Sequence, residues 1–534
     1  MGPRDGGGGE ATSEGSSEAS SLSVSPAMAN VLTCDSLQLS AKGGNGTTVW
    51  SVSPTTGAGS VSANGDYTAP GVAPSDPAVT VTASQGSSKA TAALEVATGF
   101  PGSPVLVPIG ANDNAGSNVP VERTFTANGK AMYAAILGPV GVSGAITEAD
   151  IFASTNGGQS FTGPTSFSTG NLSCVSAVPD VGDPSVVYLV YLAGHGDSTS
   201  NTGTTMRLAV STDGAKTFPT QFVLADDSNT LPDLICPDLV SPSANHVIVT
   251  AIAGEWVEGQ SVWAGTWVSG NRGADIGPPL EADGGFAGFV DGGELSALST
   301  SDTNSATAQG CNIASNGNNA GPRIAANGAG DVCIVYEFEG PCAPYTSTTD
   351  GEIFAQCSSN NGQTWASPLA VAGPSSGAHN HPTIAVSPAG NVAVTWLDAV
   401  TVDGGATIPQ TFLAISKNLG ESFGAAFTYP QPADLQGTTQ NPNVAWENDQ
   451  VLWLTETVTT TTAPAIVVDK TCDYGVTWSG AVANGAGFST SSFFDYTSSS
   501  LVLGSGGMTV GGYGLGSGPD AGASNLVVIS LSRP

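Results

Sequence analysis

Seven carboxylates and two histidines stand out in this 534-residue chain as side chains whose placement could do chemistry. Glu255, Glu337, Glu339, Asp398 and Glu456 each fall at or just past the end of an apolar run, the second run of a recurring pair, and Asp238 and Asp495 stand near the start of a first run. Carboxylates gathered on one rim suit a hard cation such as Ca2+, which takes oxygen ligands, or a basic ligand. The alternative is a solvated rim in a very acidic protein. His379 and His381, in "HNHP", share a face if the segment is extended. They would begin a transition-metal site if further ligands joined them, and are otherwise loop histidines. None of these residues requires a cofactor.

What positions them is a repeat. The octet "STNGGQSF" begins at 154, and "STDGAKTF", "SGNRGADI", "SSNNGQTW", "SKNLGESF" and "TCDYGVTW" begin at 211, 269, 358, 416 and 471. The steps of 57, 58, 89, 58 and 55 residues define one period, with an insertion in the third step. Upstream of each octet lies a segment such as "AGPRIAANGAGDVCIVYEF", which reads as a short strand, a turn and an apolar second strand. A third strand runs into the octet and a fourth leaves it. Four antiparallel strands per unit, repeated radially, predict a β-propeller. "FFDYTSSSLVLGSGGMTVGGYGLG" opens a seventh unit with "NLVVISLS" as its third strand, and "SPVLVPIG" at 103–110 is the strand expected to complete it from the other end of the chain. The expected fold is all-β with seven blades, or six if the last unit is only a closing ribbon.

Each octet position has a physical role. The third residue, Asn156, Asp213, Asn271, Asn360, Asn418 or Asp473, can accept hydrogen bonds from amides of its own turn. The glycine two places on permits positive φ, although Ala215 replaces it in the second copy. The closing aromatic wedges between neighbouring sheets, except that the third copy ends in Ile276 after Asp275. The pattern S-x-[DN]-x-G-x-[ST]-[WF] resembles the Asp-box, or BNR repeat, of sialidase-like propellers. That resemblance implies that the boxes lie between third and fourth strands, on the face away from the ligand, and are structural.

Sialidases of that family grip the substrate carboxylate with three arginines, a task suited to the planar guanidinium fork, and use a Tyr with a Glu as nucleophile pair. Carried over by resemblance, Arg123 in "VERTF" and Arg323 in "PRIAA" are on first strands, Tyr496 in "FDYTSSS" echoes the nucleophile, and Glu337 or Glu456 would be its partner. No arginine occurs between Arg323 and Arg533, where the family keeps another member of the triad. The hydrolase reading is therefore the lesser one.

The totals agree with a turn-rich exported protein: 71 Gly, 34 Pro and 12 basic against 44 acidic residues. A net charge of -32 repels phosphate backbones and anionic lipid, which excludes nucleic acid as a partner. No run of 18 apolar residues is present, so no transmembrane segment is expected. Eight cysteines without a CxxC pair fit disulfides, with Cys311–Cys333 and Cys342–Cys357 as pairings to test. Residues 1–21 form a Gly/Ser/Glu tether with nothing to bury, resembling the segment after the acylated cysteine of bacterial lipoproteins. The expected location is secreted or at the outer cell surface, with a lipid anchor through a removed N-terminal signal as an option.

Residues 22–98 alternate in period two, and Trp50, Gly59, Gly65, Tyr67 and Pro70 resemble bacterial Ig-like (Big) domains, which implies a β-sandwich spacer. Residues 101–534 form the propeller, with the insertion at 277–320 expected on the ligand-side face as a recognition loop or a plain surface loop. The leading expectation is a non-catalytic propeller that binds a glycan or a surface protein on its loop face. A sialidase-like exo-glycosidase and a purely structural surface component are the alternatives. Oligomeric state is open.

Overall fold

The computed structural model describes residues 21–99, 105–108, 125–138, 147–168, 172–193, 202–203, 205–226, 234–254, 262–276, 312–313, 322–339, 352–372, 380–401, 407–431, 438–459, 464–483, 500–504, 507–515 and 524–532. Among these residues every regular element is a strand. The chain divides into two compact units, one up to Ala97 and one over Thr98–Arg533.

In the first unit, a four-stranded sheet takes the order Met28–Leu32, Ser88–Ala97, Ala78–Gln85, Val49–Ser53, with the first pair parallel. Ser36–Gln38, Asp66–Thr68 and Ser60–Val61 make a second sheet, and Ser23–Ser25 pairs with Ser40–Lys42. The period-two pattern places Val79, Val81, Leu94 and Val96 in one core with Leu39 and Tyr67. Tyr67 is fully buried, its hydroxyl donates to the Ala58 carbonyl at 2.7 Å, and burial pushes its pKa up to about 12.

The second unit is a β-propeller. Among the described residues seven antiparallel sheets follow one another along the chain, six with a four-stranded core and the third with three consecutive strands of its own. The first runs Phe125–Asn128, Ala131–Leu137, Glu148–Ser154, Thr162–Ser168, and the last pairs Val105–Pro108 with Ser524–Ser532, the strand brought from the other end of the chain. The third differs: Leu234–Val240, Val247–Gly254 and Val262–Ser269 are joined by Thr202–Gly203, which comes from between strands of the second sheet. The fourth gains Asn312–Ile313, from the insertion, against Phe338 and Glu339. The first strand of each sheet touches that of the next, and the Phe125–Asn128 strand touches Ser500–Gly504 of the last sheet.

Second strands are buried on both faces because a sheet packs on either side. Tyr188, Leu189, Val190, Tyr191 and Leu192 are all fully buried, so "VYLVYL" reads as a continuous apolar run instead of an alternating one. Separate apolar clusters join neighbouring sheets, such as Val335 and Ile353 with Val394 and Trp396, each fully buried aliphatic group contributing about 1.5–3 kcal/mol.

The octets are the third-to-fourth turns, and their geometry repeats closely. The opening hydroxyl donates to the third residue's Oδ1 at 2.8 Å in Ser154, Ser211, Ser358, Ser416 and Thr471. The same hydroxyl accepts the amide of the fifth residue at 2.9–3.0 Å, while the third residue's Oδ1 accepts the amide of the seventh. The third copy corrects the sequence reading. Asn271 is exposed and its side chain does not play this part; Ser269 Oγ donates to Asp275, whose carboxylate also accepts the amides of Asn271 at 3.1 Å and Gly270 at 3.3 Å.

Positive φ is needed at two octet positions, the fourth as well as the fifth, and Leu419 and Tyr474 adopt it at 50° and 61°. A fixed bond offsets that cost: the fourth residue's amide reaches the carbonyl of its own sheet's first turn, Gly157 to Lys130, Gly214 to Ser185, Arg272 to Asn245, Asn361 to Gly330 and Leu419 to Gly390, at 2.8–3.1 Å. The two turns of each of these five sheets are thereby tied together at this end. Neighbouring sheets are tied as well, by Asn128 to Asp180, Asp180 to Asn245, Gly330 to Pro242 and Asn391 to Asp449.

Candidate functional site

First strands run from the opposite end toward the octets, so their early residues lie at the loop face. Counting each second strand from the residue paired with the octet's first residue aligns the sheets: Val190, Thr250, Val335, Thr395 and Thr455 are equivalent. Their first-strand partners are Ser176, Asp238, Arg323, Thr383 and Asn443. Five successive first strands thus carry a polar residue at one level, and Ser176, Asp238, Arg323 and Thr383 are buried.

These residues reach across to the next first strand. Ser176 Oγ donates to Asp238 at 3.4 Å, Asp238 accepts the Ile324 amide at 3.1 Å along with its own neighbour Leu239 at 2.9 Å, and Thr383 Oγ1 donates to the Pro442 carbonyl at 3.2 Å. The inner edge of each sheet leaves backbone groups outside the ladder, and this girdle satisfies some of them. Asp238 therefore departs from its expected place on a binding rim: its carboxylate links three first strands.

The ladder is interrupted just before this level, between Ile235 and Asp238, Asn380 and Thr383, and Gln440 and Asn443. The interruption holds a proline each time, Pro237, Pro382 and Pro442, which has no amide to donate. Pro322 precedes Arg323 in the same way. A proline followed by a polar residue and an apolar strand was the available sequence signal for the girdle, and the octet periodicity overshadowed it.

Arg323 and His381 are the ionisable pair that the girdle brings together. Arg323 is 5% exposed, and burial holds its guanidinium pKa down to about 10. His381 sits in the interrupted segment with a φ of 53°, and burial, with the nearby Arg323 charge, lowers its pKa to about 4. Its imidazole is neutral at physiological pH. A buried cation beside a neutral imidazole can hold one anionic or hydroxyl-bearing group of a ligand by charge-assisted hydrogen bonding.

Glu456 departs from both of its expected roles. It is fully buried between the fifth and sixth sheets, and Thr411 Oγ1 donates to its carboxyl at 2.6 Å. Asp398 is half-buried, and its carboxylate accepts the next residue's amide, Ala399 N, at 2.7 Å. Glu337 and Glu339 lie on Val332–Glu339 and their side chains are outside what is described; Glu255, Arg123, Asp495, Tyr496, His379 and most of the 277–320 insertion lie outside the described residues. Among the described residues no three His, Cys, Asp or Glu side chains come together as a metal cluster.

The cysteine pairing also corrects the sequence expectation. Cys333 and Cys357 are directly opposed on paired strands and joined to each other, with Cα atoms 4.1 Å apart, so neither bonds Cys311 or Cys342. Cys34, Cys174 and Cys472 are disulfide-bonded too. No helix among the described residues is long and apolar enough to cross a membrane.

The chain matches no protein-family model and no curated protein sequence. Among solved structures it is similar to an ulvan lyase of a polysaccharide lyase family, bound to -[GlcA(1-4)Rha3S]-, at 10% identity over 80% of this chain and 95% of that one, with a TM-score of 0.48. It is similar to the phage phi92 endosialidase at 10% identity over 84% and 71%, TM-score 0.44, and to the Trypanosoma rangeli sialidase at 10% over 70% and 56%, TM-score 0.37. At these values no residue role passes from those proteins to this chain.

Proposed function

We propose that this chain is an exported binding protein: an Ig-like spacer carrying a seven-bladed Asp-box propeller that recognises a glycan or surface protein at the face opposite the octets, without turnover. The observation that supports the reading is the placement of two of the candidate acids. A glycosidase needs a carboxylate that reaches the reacting centre. Asp238 is engaged in bridging first strands, and Glu456 is sealed inside a sheet junction. Arg323, which is buried, and His381, near it on the adjacent first strand, are the residues this reading assigns to recognition. Disulfide-bonded cysteines favour an oxidising compartment, hence export.

The test is one preparation assayed two ways, for retention on arrayed glycans and host-surface proteins and for release of fluorophore from a sialoside. Retention without release is expected. Release that disappears in Tyr496→Phe would install the hydrolase reading in its place, and neither signal would leave a structural surface component.

A further inference from the structure

Glu456 and Asp469 occupy core positions that the other sheets fill without an acid. The residues equivalent to Glu456 are Ile136, Tyr191, Ala251, Tyr336 and Trp396; those equivalent to Asp469 are Phe152, Ala209, Trp267, Gln356 and Ala414. In the sixth sheet Asp469 pairs with Leu454, two residues before Glu456, so both acids project from the same face, toward the fifth sheet. Both are buried, at 0% and 2% exposure.

Their surroundings differ. Asp469 accepts hydrogen bonds from the Tyr429 hydroxyl at 2.9 Å, the Ser479 hydroxyl at 3.0 Å and the amides of Lys470 and Gly480 at 2.8 and 2.5 Å. Glu456 is bonded by the hydroxyl of Thr411 and by Gln431, both from the fifth sheet. The titratable groups facing Glu456 are Asp469 and Tyr429; Lys470 projects from the other face of its strand, 4.8 Å over the Trp453 ring. Burial raises the Asp469 pKa, and four donors oppose that rise by bonding its charged form. Burial and the nearby Asp469 carboxylate favour the protonated form of Glu456, against its two side-chain bonds, which favour the charged form.

We propose that the junction of the fifth and sixth sheets is a pH-sensitive clasp, in which ionisation of both Glu456 and Asp469 sets two buried carboxylates on one face against each other and loosens Phe427–Gln431 from the sixth sheet. Burial, opposed by the Thr411 and Gln431 bonds and reinforced by Asp469, raises the Glu456 pKa from 4.5 to about 8. Because the folded value is the higher one, the contribution of Glu456 to stability is whole below about pH 4.5 and is lost as pH rises through about 8. The equivalent junctions carry no such pair and lack this dependence.

The experiment measures urea midpoints of the full chain and of Glu456→Gln at intervals from about pH 5 to 9. Wild type is expected to lose stability relative to Glu456→Gln across that range; parallel profiles would overturn the proposal. Amide exchange of the wild type alone, corrected for the intrinsic pH dependence, provides a reading that needs no variant. Protection over Phe427–Gln431 should fall with rising pH while Leu369–Ala372, the outer strand of the fourth sheet, keeps its own. Equal loss in both segments would overturn it.

Discussion

The two ends of the propeller are built by different rules. At the octet end, each turn is a closed local unit: Ser416, Asn418, Gly420 and Ser422 satisfy one another within eight residues, and the Leu419 amide adds a bond to its own sheet at Gly390. At the loop-face end, the bonds that matter join residues far apart in sequence, such as Ser176 to Asp238 and Asp238 to Ile324. A local unit can be repeated without reference to its neighbours, so it serves as a scaffold. A girdle in which Ser, Asp, Arg, Thr and Asn stand at one level differs from sheet to sheet, as the proposed recognition at this end requires.

The sharpest way to break the comparison is to damage a scaffold position that also touches the next sheet. Gly475 has a φ of 88°, and an added Cβ would lie 2.1 Å from Phe427 Cζ of the fifth sheet. Gly475→Ala should cost roughly 2 to 4 kcal/mol through strain and overpacking, read as a fall in the denaturation midpoint. Gly157 has open space around its Cβ position, and Gly157→Ala should cost only about 1 kcal/mol for its φ of 71°. Equal losses would mean that packing between sheets is not what the octet glycine provides.

A smaller effect sharpens the account of the third octet. Asn418→Ala removes the acceptor for the Ser416 hydroxyl and the Ser422 amide and should cost about 1 to 2 kcal/mol. Asp275→Ala should cost a similar amount, whereas Asn271→Ala should stay within about 0.5 kcal/mol. Chemical denaturation of the three variants decides it, and a larger loss for Asn271→Ala than for Asp275→Ala would reverse the assignment.

These contrasts explain what was legible in the sequence. Asn156, Asp213, Asn360, Asn418 and Asp473 could be assigned because their partners are two to four residues away. Asn271 misled because a carboxylate four places on takes the bond of the opening hydroxyl in its stead. The strand from the first part of the chain that pairs with Ser524–Ser532 was readable because the last unit lacked a fourth strand. The site was not readable in the same way. Leu452–Thr459 is buried on both faces, so alternation could not distinguish a rim acid from a core acid at Glu456. The Cys333–Cys357 bond required the strand register, and the bridging by Asp238 required knowing which first strands are neighbours.

The central claim is that recognition belongs to the loop-face end and not to the octets. The direct measurement is the affinity of wild type, His381→Ala and Asn418→Ala for the same arrayed glycan or surface protein, at a temperature where all three are folded. The account predicts at least a tenfold loss for His381→Ala, about 1.4 kcal/mol, with Asn418→Ala binding as wild type. Undiminished binding by His381→Ala together with a loss in Asn418→Ala would place recognition at the other end of the propeller and contradict it.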